Sequence, residues 1–313
     1  MSFMHSGESS RVALVTGSAG IIGPGIVRSL QAAGWKVAAA EYDTACFDRY
    51  RALYREEMPG DVLLTGDLSK RDACFRLVEE ASSKLNGPVR LLVNTATGHS
   101  RSVHLPFDQF DEVSGHRVFD VDFLAPIFLM QAALEQLKNG GCIIHFSSVR
   151  TGEFVPGSLM YSSVKSAIET MTQALAVELS PHHIRVNAIR IGSIPGIEFL
   201  RQAVESLSDE EARALRKEVY AKLIENFPEP SLFGRTGIPE DVGDLIVYIA
   251  SEKGAFLNGS VIPLDGGYHS AQRRLAEPPK DAVEFIRKWR KTPEAALAQW
   301  RASREEKART ENL

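Results

Sequence analysis

Cysteine is scarce. There are three, Cys46, Cys74 and Cys142, odd in number and far apart. They form no disulfide framework and no CxxC metal pattern, which suits a reducing compartment. No apolar run approaches the roughly 20 residues of a membrane span. The opening MSFMHSGESS lacks an apolar signal core, so a cytoplasmic protein without membrane contact is expected. Charge of one sign is not in excess. Lys and Arg number 36 and Asp and Glu 40, a net −4, which argues against a nucleic-acid partner gripped over the whole chain. Internal repeats and low-complexity stretches are missing, which excludes solenoids and fibres. With 44% apolar and 24% charged residues the chain is globular. A chain of 313 residues buries about 75% of its unfolded surface and needs no metal to fold.

What is present is a rhythm. Short apolar runs, at 11–16, 36–41, 62–65, 90–94, 142–146, 185–189 and 260–263, alternate with helix-period segments near 22–33, 69–85, 116–137, 159–180 and 239–250. That order predicts βαβ units and an α/β, doubly wound parallel sheet of about seven strands, one domain over residues 1–270. Two regions break the rhythm. Gly192–Gly237 separates the last two strands and holds a helical run, SDEEARALRKEVYAKLIENF; so long a connection reads as a substrate lid. After His269 comes a tail, 271–313, with 11 Lys/Arg and 7 Asp/Glu. Its apolar stripes, Phe285, Ile286 and Trp289, then Leu297 and Trp300, predict helices that dock on the lid or on another subunit.

The first predicted strand ends in Thr16 and runs into Gly17-Ser-Ala-Gly20-Ile-Ile22-Gly23-Pro-Gly25, with a helix behind it. Glycines let the backbone approach a pyrophosphate, whose charge then meets a helix N-terminus. Glu41 ends the second strand, 18 residues after Gly23, where a carboxylate bonds ribose hydroxyls and opposes a 2′-phosphate. No Arg or Lys stands in the glycine loop or just after Glu41. NAD is therefore the expected cofactor.

Tyr161 and Lys165 are spaced i, i+4, on one helix face, and Ser148 ends a strand 13 residues before the tyrosine. An ammonium beside a phenol favours the phenolate, and a serine hydroxyl can hold the oxygen that the tyrosine protonates. With these residues in place the chain resembles the short-chain dehydrogenases/reductases over about residues 10–269. The matches, in order, are TGSAGIIG, Glu41, Asp67-Leu68, LLVNTA, SSV, YSSVK, IRVNAI and GRTGIPEDVG…PLDGG. The resemblance implies hydride transfer between a nicotinamide cofactor and an alcohol or carbonyl. It makes Ser148, Tyr161 and Lys165 catalytic, with Lys165 also on the nicotinamide ribose. It places Asp67 and Leu68 at the adenine, Asn94 after the fourth strand and Ile194 on the cofactor. It also implies a homodimer or homotetramer.

Asp122 stands where the family usually has a catalytic Asn. Pro126 lacks the N–H that would bond the carbonyl at 122, so that carbonyl is expected to be free, and the carboxylate adds negative charge near Lys165. His99, Arg101 and His104 follow Asn94, and Arg150 and Arg190 flank the same mouth. Arginine grips carboxylates in a fork, which points to a small polar substrate: a sugar, polyol or sugar acid. No metal spacing occurs. Two other functions stay open. An epimerase or dehydratase of the same superfamily is favoured by the TGxxGxxG spacing. A catalytically silent NAD-binding subunit is favoured by Asp122, Thr97, Ile191 and the tail.

Overall fold

The computed structural model describes residues 11–54, 56–98, 107–197, 200–226, 231–232, 234–271, 292 and 294–302. Seven strands form one sheet: β1 (Val12–Thr16), β2 (Lys36–Glu41), β3 (Val62–Thr65), β4 (Val89–Asn94), β5 (Cys142–Ser148), β6 (Arg185–Ile191) and β7 (Val261–Leu264). All pairings are parallel, in the order β3-β2-β1-β4-β5-β6-β7. β1 and β5 are buried along their whole length, as near-continuous apolar runs in a sheet covered on both faces should be.

The helices are α1 (Gly23–Ala32), α2 (Thr44–Tyr54), α3 (Arg71–Leu85), α4 (Glu112–Phe119), α5 (Ala125–Leu137), α6 (Leu159–Leu179), α7 (Arg201–Glu205), α8 (Asp209–Asn226) and α9 (Pro239–Ala250). Residues 294–302 are helical too. Leu77, Leu129 and Leu137 of α3 and α5 build the core on one face. Ile26, Leu30, Ile246 and Ile249 of α1 and α9 build the other. A third cluster stands apart. Leu53 of α2, Ile197, Leu200, Leu215, Val219 and Leu223 enclose Ala296, Leu297 and Trp300. Trp300 donates to Glu218 at 2.7 Å. The tail thus docks on the insertion of its own chain; its stripe at 285–289 lies outside the described residues.

Two elements depart from expectation. α2 was not anticipated between the second and third strands. The helix expected over 116–137 is broken by a π-helical turn, Asp120–Leu124, in which Ala125 N–H bonds the Asp120 carbonyl, i to i+5. Pro126 cannot donate, and the ladder slips one residue ahead of it.

Candidate active site

The strand order reverses between β1 and β4, and there a cleft of about 580 Å³ opens at the carboxyl ends of the strands. Gly17, Gly20, Ile22, Glu41, Leu68, Tyr161, Lys165 and Ile194 all line it. The glycines fit a phosphate cradle. Gly17 has φ +66°, and a Cβ on it would come within 2.7 Å of the Ala96 backbone. A Cβ on Gly23 would strike the Ser18 carbonyl oxygen at 2.2 Å, so this glycine lets α1 pack against the loop. At Gly20 such an atom meets only the Gly17 carbonyl oxygen, at 3.2 Å, and would fill the approach to the loop. Glu41 accepts the Ala19 N–H at 2.7 Å and the Tyr42 N–H at 3.2 Å, which fixes its carboxylate against the loop.

Asp67, which the resemblance places at the adenine, is not itself among the lining residues, though Gly66 and Leu68 on either side of it are. Its Oδ1 accepts Arg117 Nη1 at 2.6 Å and the Ser69 N–H at 3.0 Å. Burial alone would raise its proton affinity; the bonds from Arg117 and Ser69 outweigh that and hold the carboxyl below its usual range. Leu68 and Arg117 line the cleft beside it. The Arg117 guanidinium carbon lies 5.0 Å from the centre of the Tyr42 ring. Sequence reasoning missed both residues, Arg117 because 76 positions separate it from Glu41.

At the other end Tyr161 and Lys165 sit one turn apart on α6, with Lys165 Nζ 5.7 Å from the tyrosine ring centre. Lys165 Nζ is 3.2 Å from Asp122 Oδ2, and Asp122 Oδ1 accepts the Gly98 N–H at 2.6 Å. The expected negative charge near the lysine is a direct, buried ion pair. Behind it, Asn94 Nδ2 lies 3.3 Å from His145 Nδ1 on the adjacent strand. Burial, and secondarily the Lys165 charge, push His145 down to about 3, so the imidazole is neutral.

Ser148 ends β5 and its Oγ accepts the Arg150 N–H at 3.2 Å. Neither described arginine of the substrate set extends an unpaired charge to the mouth. Arg190 makes a two-pronged pair with Glu169, at 2.8 and 2.6 Å, and Ser147 also donates to that carboxylate. Burial would raise Glu169, but the bonds from Arg190 and Ser147 dominate and hold it low. Arg150 pairs with Glu153 at 2.9 Å. His99, Arg101 and His104 lie outside the described residues. Among the described residues no group of three or more His, Cys, Asp or Glu could hold a metal, and no helix is long and apolar enough to cross a membrane.

A glycine cradle at a strand-order reversal, with a tyrosine–lysine pair across the cleft, defines an oxidoreductase of the nicotinamide-dinucleotide class. The comparisons agree. A family model described as enoyl-(acyl carrier protein) reductase matches residues 17–269. An L-xylulose reductase of Bos taurus is 32% identical over 83% of this chain and 97% of the relative. An acetoacetyl-CoA reductase of Rhizobium meliloti (strain 1021) is 33% identical over 84% of this chain and 100% of the relative. A short-chain dehydrogenase/reductase of Serratia marcescens shares the fold at a TM-score of 0.65 and 22% identity, over 83% of this chain and 98% of its own. The chain belongs to the short-chain dehydrogenase/reductase family, and acts on alcohols or ketones.

Proposed function

We propose that the protein transfers hydride between NAD and a secondary alcohol or ketone of polar character, such as a sugar, polyol or sugar acid. The observation that carries this is one cleft holding Glu41 and the glycine loop at one end and Tyr161 with Lys165 at the other. NAD, when bound, gives or takes the hydride. Glu41 binds the adenosine ribose hydroxyls through lone pairs that the Ala19 and Tyr42 amides leave open, and its charge disfavours a 2′-phosphate. Ser148 holds the substrate oxygen, Tyr161 moves the proton at that oxygen, and Lys165 orients the cofactor ribose and supplies positive charge beside the phenol.

The polar substrate draws support from the sugar-reducing relative. The insertion holding α7 and α8 is assigned to the substrate lid. Exposed Phe107, Val113 and Phe256 favour a homo-oligomer, and the sparse, unpaired cysteines favour the cytoplasm. A second cofactor reading has its own observation: Arg117 brings a guanidinium beside Tyr42, next in sequence to Glu41, where NADP would place a phosphate.

Both parts are tested together. Purified enzyme is titrated with NADH and NADPH by nicotinamide fluorescence, then assayed over a panel of sugars, sugar acids and hydroxy acids. NADH should bind more tightly, and Tyr161→Phe should bind NADH normally with turnover abolished. Tighter NADPH binding would refute the role given to Glu41. Near-normal turnover in Tyr161→Phe would refute the mechanism.

A further inference from the structure

The arginine on α4 has a setting that ion pairing alone does not account for. Arg117 is held at both ends of its side chain. A Cβ on Gly98 would strike the Arg117 carbonyl oxygen at 2.4 Å, so the loop after β4 presses on the last turn of α4 and fixes where the side chain starts. At its tip, Asp67 Oδ1 takes one N–H at 2.6 Å. One face of the guanidinium is turned to Tyr42, whose ring is half exposed. Tyr42, Arg117, Leu68 and Gly66 line the same cleft as Glu41, and Asp67 is not among its lining residues.

Arginine is suited to this place. Its planar fork carries five donors, of which Asp67 takes one, and its faces stack on aromatic rings. A guanidinium already fixed by a carboxylate and a ring loses little rotamer freedom when a ligand arrives. The charge is neutralised by Asp67, so the arginine does not cancel the Glu41 carboxylate nearby. Such a group offers a flat, polarised surface and spare N–H donors to a planar heterocycle. It offers less to a phosphate, which would have to compete with Asp67 for the fork.

We propose that Arg117 is a cofactor-binding residue, forming with Asp67 and Tyr42 a clasp that stacks on the adenine of the dinucleotide. The proposal rests on the dinucleotide reading given above. Asp67 serves it as a positioning residue, by aiming the guanidinium.

The test compares three probes on wild type, Arg117→Lys and Arg117→Met: NADH, NADPH and reduced nicotinamide mononucleotide, which has no adenine. Dissociation constants come from nicotinamide fluorescence, with thermal unfolding run on each variant. Both substitutions should weaken NADH about tenfold, the scale of a partly desolvated cation–π contact, and leave the mononucleotide unchanged. Lysine should fail like methionine because it keeps the charge and loses the plane. If Arg117→Met unfolds, Arg117→Lys carries the comparison alone. Wild-type NADH affinity in Arg117→Lys would overturn the stacking clasp. So would equal losses for NADH and the mononucleotide. A loss confined to NADPH would overturn it by giving the arginine to a 2′-phosphate. Should wild type bind none of the three probes, the dinucleotide reading falls and takes the clasp with it. Intact NADH binding in every variant sinks the clasp alone.

Discussion

Replacing Asp122 with alanine probes the buried pair behind the tyrosine. One carboxylate oxygen takes the Gly98 N–H at 2.6 Å and the other lies 3.2 Å from Lys165 Nζ, with the aspartate side chain fully buried and the lysine 9% exposed. Alanine orphans two groups. A buried amide without an acceptor costs about 1–3 kcal/mol. A buried ammonium stripped of its counter-ion costs about 3–5 kcal/mol. The two share one carboxylate and do not add, so the larger sets the expectation. Asp122→Ala should lose about 3 kcal/mol or more of an unfolding free energy of roughly 5–15 kcal/mol. Asparagine keeps an oxygen for Gly98 and removes only the charge, so Asp122→Asn should lose less.

The assay is urea unfolding of both variants beside wild type, read as midpoint and slope. It is joined by the pH profile of alcohol oxidation for Asp122→Asn. With the negative charge gone, Lys165 acts on the phenol uncompensated and favours the phenolate that oxidation needs. Activity should persist, and the acid limb of the profile should move to lower pH. Equal unfolding free energies for wild type and Asp122→Ala would show that the pair is not closed in solution. A dead but stable Asp122→Asn enzyme would give the carboxylate a chemical role of its own.

Two further expectations follow from buried groups elsewhere. His145 binds its proton near pH 3 in the fold and near 6.5 when unfolded. Its contribution is therefore complete above about pH 6.5 and falls by up to roughly 1.4 kcal/mol per unit as pH drops toward about 3. His145→Asn should flatten the acid slope of urea midpoints between about pH 6.5 and 5, and an unchanged slope refutes the assignment. Trp300→Ala removes a buried indole and its bond to Glu218, so amide exchange over 294–302 should quicken about tenfold or more while β1 and β5 stay protected. Exchange as slow as in wild type would refute the docking.

Much of the fold was readable because parallel strands buried on both faces leave continuous apolar runs, which no surface element imitates. The expected strands differ from the observed ones by only a residue or two at their ends. α2 hid because three of its residues, Phe47, Tyr50 and Leu53, are buried, and Leu53 finds its cover on segments more than 140 positions away. The π turn depends on how the chain around Pro126 packs, since a missing N–H dictates a disturbance without dictating its form. Site residues lying close in sequence, such as Tyr161 and Lys165, could be paired from spacing alone. Arg117 beside Tyr42 could not, because the sheet order brings them together across separate βαβ units, and Arg190 on Glu169 could not, because the pair forms only when α6 packs back onto β6. The arginines expected at the substrate mouth illustrate the point. Local sequence reveals a cation but not the carboxylate that neutralises it.

The third cluster bears on the timing of folding. Its parts come from Leu53, from 197–223 and from 296–300, so it joins segments more than 240 positions apart. Ribosomes deliver a polypeptide from its N-terminus, at about 5–20 residues per second. The seven strands are all made by Leu264. Ala296, Leu297 and Trp300 emerge a few seconds later at that pace. For that interval the insertion's leucines lack the part of their cover that Ala296, Leu297 and Trp300 supply. Apolar surface left open for those seconds is the kind that aggregates or draws a chaperone.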